Sequence, residues 1–384
     1  MKTFITALFI VLTAPVCFAA SADAPAPKPY VEVVFVLDST GSMSGLIEGV
    51  KQKIWAIANT IILQQPEPNV RIGVLTYRDR GDAYVTKMID LSSDIDTVYA
   101  FLMEITAGGG GDEPESVNQA LDEAVNNMNW SPREINAYRV IFLVGDAPPH
   151  MDYPDDVKYP VTCKKAVEKK ITINTIQCGN IPSCTPFWQD IAKLAKGDFS
   201  QIGQTGNVVV VESPFDKEIA AMTVKLGATV IPYGSEYRKR EVLEKLKTAE
   251  KASVSAGADR AAYNLRRGGV VIHGTGDLVE DVKTNADLLS DAEGLPEIMR
   301  DMSVPERRKF VEAVSEIRQE MIAKIGDLTA RRDKWMVAES AKKRPGPTGT
   351  GTGTARPVPS STAPSFDTNV SETIGLQFKR AIKK

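Results

Sequence analysis

Asp38, Thr40 and Ser42 stand at alternate positions directly after the apolar run VVFVL, residues 33–37. A carboxylate and two hydroxyls at that spacing can point three oxygens the same way from a loop leaving a strand. Two further stretches carry the same chemistry. GGGGDEPES holds Asp112, Glu113 and Glu115, and VGDAPPHMD holds Asp146. Carboxylates and hydroxyls together form a hard oxygen donor set. It suits Mg²⁺, with Ca²⁺ or Mn²⁺ as alternatives, rather than zinc. Mg²⁺ takes about six ligands and usually keeps waters, which leaves a position for an oxygen from elsewhere.

The elements that must position these residues alternate in type. VEVVFVL, VRIGVLTY, YRVIFLV and ITINTIQC read as strands, being short, apolar and rich in β-branched residues. AYVTKMIDL reads as a further strand, joined to VRIGVLTY as a hairpin through RDRGD. Helical spacing is seen over 46–63, around 94–105, over 114–128 and in FWQDIAKLAKG. Pro66 and Pro68 stop the first of these helices. This order predicts an α/β fold, a doubly wound and mostly parallel sheet with helices on both faces. In such a sheet the loops at the carboxyl ends of the strands gather along one edge, where ligands bind. The glycines at 108–111 let the backbone of the second loop come in close. From about residue 236 the pattern becomes charged and helical, which predicts a helical C-terminal extension.

The three loops, in this order and each at a strand end, resemble the von Willebrand factor A domain and its metal-ion-dependent adhesion site. The resemblance covers roughly residues 31–226. It implies a protein-binding module, not an enzyme, that holds Mg²⁺ through Asp38, Thr40, Ser42 and Asp146. A partner's carboxylate would complete the coordination. The usual pattern has a threonine in the second loop, and Glu115 stands there instead. DEPE is similar to the second loop of integrin β-subunit domains, which implies Glu115 as a metal ligand. An added carboxylate makes the ion a weaker attractant for an incoming acid. Asp112 and Glu113 are the expected holders of a second cation that compensates.

Other readings compete with this one. Asp38 or Ser42 serves equally well as a helix cap, and Pro114 and Glu115 suit a first helical turn. A Mg-dependent hydrolase or phosphotransferase also begins with a strand ending in Asp, but it needs a second acid where Thr40 stands. No G-K-[ST] phosphate cradle occurs. Of the two histidines, His150 and His273, the first follows Asp146 by four residues and is read as a loop-packing or surface residue. Arg80-Gly81-Asp82 is read as a turn, not an adhesion motif. A third reading makes the protein a scaffold whose helical extension does the binding.

Lys and Arg number 46 against 49 acids, a net charge of -3, which argues against a nucleic-acid partner. Residues 1–22 have the order of a signal peptide: Lys2, an apolar stretch, then small residues. The mature chain is therefore expected to be exported and not membrane-spanning, in the bacterial periplasm or secreted outright. In an oxidising compartment a disulfide is expected among Cys163, Cys178 and Cys184, with the pairing open. The expected division is linker 23–30, α/β domain 31–226, helical extension 227–344, disordered Pro/Gly/Ser/Thr-rich linker 345–365 and a short amphipathic tail 366–384.

Overall fold

The computed structural model describes residues 27–342 and 364–382. The expected signal peptide, the first half of the expected linker (23–26) and nearly all of the Pro/Gly/Ser/Thr-rich segment lie outside the described residues.

The chain runs β1 (Tyr30–Asp38), α1 (Ser44–Ile62), β2 (Asn69–Tyr77), β3 (Thr86–Ser92), α2 (Ile95–Glu104), α3 (Val117–Asn126), β4 (Ala137–Gly145), α4 (Tyr159–Glu168), β5 (Ile171–Cys178), α5 (Thr185–Leu194) and β6 (Lys196–Ile202). One six-stranded sheet results, in the order β3-β2-β1-β4-β5-β6. Only β3 is antiparallel, as the hairpin partner of β2. Strand β6 does not stand out in the sequence. Its residues KGDFSQI are polar because it is an edge strand, half exposed along its length.

The continuous apolar character of β1 follows from burial on both faces. Val33, Phe35 and Leu37 enter one core with α1 and α2. Val34 and Val36 enter the other with α3, α4 and α5. Strand order reverses between β1 and β4, so the crevice at their carboxyl ends is the switch point where a ligand can enter. Asp38 ends β1, and Asp146 directly follows β4.

Beyond β6 the chain is helical: α6 (Asp216–Gly227), α7 (Glu236–Glu250), α8 (Val254–Arg266), the short α9 (Leu278–Asp281) and α10 (Glu297–Arg300), then α11 (Val304–Lys342) and α12 (Phe366–Ile382). The observed grouping differs from the expected boundaries at both ends. α6 shares its apolar cluster with α8 and α11 rather than with the sheet. The amphipathic α12 packs on the sheet: Phe366, Val370, Ile374 and Phe378 are fully buried in the first sheet core, while Lys379 and Arg380 at its basic end are exposed. Phe366 lies 6.0 Å from Phe35 between ring centroids. Gln377 bonds Asn174 and Asp198, and it accepts from Tyr138 at 2.5 Å. The helical region is thus an insertion between β6 and the helix that closes the sheet face.

The insertion is fixed to the sheet domain by a buried ion pair. Arg260 on α8 meets Asp96 on α2 through Nε at 2.7 Å and Nη2 at 3.1 Å, and His273 N donates to the same carboxylate at 2.8 Å. Replacing Arg260 with Met strands a buried charge, and the expected loss is about 3–5 kcal/mol. Denaturant titration of R260M and of the double variant R260M/D96L checks this. The double variant should recover much of the loss, and equal losses in both would refute the assignment.

Candidate metal-binding site

Backbone hydrogen bonds draw the three loops together. Gly108 N donates to Ser39 O at 3.0 Å, and Gly41 N to Gly109 O at 3.3 Å. Glu115 N donates to Pro148 O at 2.9 Å, and His150 N to Glu115 O at 3.1 Å. Gly109 and Gly110 have φ of 80° and 85°, the left-handed region that favours glycine. Gly145 is needed for a close approach instead. A Cβ there would lie 2.6 Å from Tyr77 Oη and 2.9 Å from Asp38 Cβ. Only glycine lets β4 pass this near to the Asp38 side chain.

Thr40, Ser42, Glu115, Asp112, Glu113 and Asp146 line one cleft of about 220 Å³. Its wall carries four carboxylates and no basic side chain. Asp38 is fully buried beneath it. Asp38 Oδ1 accepts from Thr40 N at 2.8 Å and from Thr40 Oγ1 at 2.6 Å. Asp38 Oδ2 and Glu115 Oε2 are buried with no hydrogen-bond partner. Thr40 Oγ1 and Ser42 Oγ lie 3.4 Å apart, with Ser42 exposed at the rim. Asp146 Oδ2 accepts from Gln204 Nε2 at 2.6 Å.

Burial pushes the Asp38 carboxyl up to about 7, against the two Thr40 hydrogen bonds and with help from the Asp146 charge. Burial also lifts Glu115, to about 9, reinforced by Asp38, Asp79, Asp82 and Asp146. The Tyr77 hydroxyl, buried and without a partner, is raised well above the phenol range by burial and then by Asp38, Cys184, Glu115 and Asp146. Such a cluster is costly without a positive charge among its oxygens. The donor set of carboxylates and hydroxyls fits a hard divalent cation.

The two candidate holders of a second cation part company. Glu113 stays on the cleft wall and accepts a hydrogen bond from Ser183. Asp112 joins Asp79 and His150, with one ligand atom from each within 4.8 Å of the others. Asp79 escapes a reading of the sequence, although it follows β2 and so sits on the same sheet edge. His150 is not at the surface but 5% exposed. Gln204 escapes it too, and nothing in its local sequence marks it. Arg80-Gly81-Asp82 is a turn, with Asp82 N donating to Asp79 O at 3.2 Å. Arg80 pairs with Asp155 and Asp156, and Asp82 accepts from Gly110 N. The tripeptide's charges are engaged within the fold. Cys163, Cys178 and Cys184 are buried free thiols, contrary to the expected disulfide.

Residues 32–202 match the family model of the von Willebrand factor A domain. The fold of this part is von Willebrand factor A-like, extended by the C-terminal helices. Among curated proteins, the chain is 33% identical over 122 residues to an alpha-protein kinase of Dictyostelium discoideum, covering 31% of this chain and 19% of that one. It is 24% identical over 240 residues to a putative ariadne-like RING finger protein of Acanthamoeba polyphaga mimivirus, covering 56% and 23%. The chain thus spans about a fifth of the length of these relatives. Among solved structures, the SpRpn10 VWA domain aligns at 14% identity and TM-score 0.36, over 46% of this chain and 90% of that one. Proximal thread matrix protein 1 from the mussel byssus aligns at 14% identity and TM-score 0.36, over 46% and 42%.

Proposed function

Taking residues 32–202 as a von Willebrand factor A domain, we propose that the chain is a non-enzymatic binding module that captures a protein partner through a divalent cation. Asp38, Thr40, Ser42, Glu115 and Asp146 hold the ion, with Mg²⁺ favoured by the all-oxygen set. The partner supplies a carboxylate to the open position at the Ser42 rim. One observation carries this reading: two carboxylate oxygens, on Asp38 and Glu115, are buried without partners in an acidic cleft that lacks a basic side chain. Ion coordination satisfies both. Glu115 adds negative charge at the ion, so the partner's acid is held more weakly than at a site with threonine there. Export to the periplasm is part of the proposal and rests on the order of residues 1–22. Among the described residues no helix is long and apolar enough to cross a membrane.

The test pairs a metal titration with capture from a native extract. Mg²⁺ should bind the mature chain and be lost in Asp38→Asn. A captured partner should be released by EDTA, return with Mg²⁺, and fail to bind Ser42→Ala. Capture that is indifferent to EDTA and to both substitutions would overturn the proposal.

A further inference from the structure

Beside the cleft, His150 is 5% exposed, and its Nε2 is buried without a hydrogen-bond partner. Nε2 lies 3.3 Å from Asp79 Oδ2 and 3.8 Å from Asp112 Oδ2. The other ring nitrogen, Nδ1, lies 2.8 Å from Asp152 Oδ1. A carboxylate on Nδ1 fixes the proton there and leaves Nε2 as a lone-pair donor, the usual orientation of an imidazole that binds metal. The ring is held flat against Tyr153, with centroids 4.0 Å apart and planes at 10°. Tyr153 Oη in turn donates to Asp79 Oδ2 at 2.8 Å, and Ser116 Oγ donates to Asp79 Oδ1 at 2.8 Å. Two of the three groups are therefore oriented before any ligand arrives, and the third, Asp112, is largely exposed on the glycine loop.

We infer that Asp79, Asp112 and His150 form a zinc site, separate from the five-residue oxygen site and different from it in metal preference. Zinc bonds to imidazole and carboxylate are about 2.0–2.2 Å, which places tetrahedral ligand atoms roughly 3.3–3.6 Å apart. The 3.3 and 3.8 Å separations to Nε2 are close to that spacing. An imidazole with two carboxylates suits a borderline cation such as zinc, whereas the all-oxygen set next to it suits Mg²⁺. The fourth position is left to water. The two sites share a backbone link, His150 N to Glu115 O, so zinc would also steady the Glu115 loop.

The inference does not rest on the five-residue site, and one set of titrations separates them. The full mature chain, stripped with EDTA, is titrated with Zn²⁺ and with Co²⁺ as a spectroscopic stand-in. One equivalent of Zn²⁺ should bind, and Co²⁺ should show the visible absorption of tetrahedral nitrogen and oxygen coordination. Both should persist in Ser42→Ala and Asp38→Asn. His150→Gln should weaken Zn²⁺ at least about 100-fold while leaving Mg²⁺ binding in place. Asp112→Asn should also weaken it, and its exposure spares the fold. Asp152→Ala, which frees the imidazole, should cost about 10-fold or more. Unchanged zinc affinity in both His150→Gln and Asp112→Asn overturns the inference, as does zinc binding that disappears only with Asp38→Asn. That pattern would mean a protonated His150 merely pairs with its acidic neighbours. Loss of Mg²⁺ binding alone sinks the proposed function and leaves the zinc site standing.

Discussion

Deletion of residues 366–384 is expected to leave a sheet domain that does not fold stably. Phe366, Val370, Ile374 and Phe378 are fully buried against β1, β4 and α1. At about 1.5–3 kcal/mol each, their removal costs roughly 6–12 kcal/mol. That is comparable to the whole stability of a typical domain, about 5–15 kcal/mol. The loss is compounded because Phe35 and its neighbours then face water. The milder Phe366→Ala keeps the helix and should cost about 3–5 kcal/mol. Circular dichroism and urea titration of both forms check the expectation. A truncated chain with the parent's midpoint, or a Phe366→Ala variant within about 1 kcal/mol of it, would show that α12 only rests on the surface. This result also bears on any effort to separate the metal site from the helical insertion: the cut must retain α12.

The second large effect is a reversal of pH dependence by the cation. In the metal-free protein the Asp38 carboxyl sits at about 7 and Glu115 at about 9. In the unfolded chain both return to about 4. Between these values the folded state binds protons that the unfolded state has released. The contribution of these two groups to stability is therefore full below about pH 4 and falls as pH rises toward 9, by an amount on the order of a few kcal/mol. A divalent cation favours the ionised carboxylates, so its affinity increases over the same range and it offsets the fall. Melting curves from pH 5 to 9 in EDTA should decline steadily, and saturating Mg²⁺ should flatten or invert them. Asp38→Asn should remove the lower part of the slope, up to about pH 7, together with the Mg²⁺ response. Coincident curves with and without Mg²⁺ would show that the buried acids are not a cation site.

The sequence by itself determined much about this protein. An apolar run buried on both faces can only be an inner strand, so β1, β2, β4 and β5 were readable from composition and length. The three oxygen-bearing loops were readable because each follows such a strand, and strand ends converge by topology. Local pattern could not place what depends on distant partners. β6 is polar because its position at the sheet edge needs no apolar face. The seam of α11 runs through Val311, Arg318, Ile325 and Arg332 at intervals of seven, and two of these buried positions are arginines. Arg318 meets Asp277 and Arg332 meets Asp216, so the buried seam of this charged helix became visible only once its partners were in place. The same holds for α12, whose amphipathic face fits a solvated tail as well as a core helix until the sheet it covers is known. At the site, Asp79, His150 and Gln204 take their places from loops that meet only in three dimensions, and the hydrogen bond from Ser183 to Glu113 likewise joins segments far apart in the chain. Residue type set which atoms could hold a cation. Tertiary structure decided which of them face one another, because hydrogen bonds between loops, not spacing along the chain, fix where each carboxylate points.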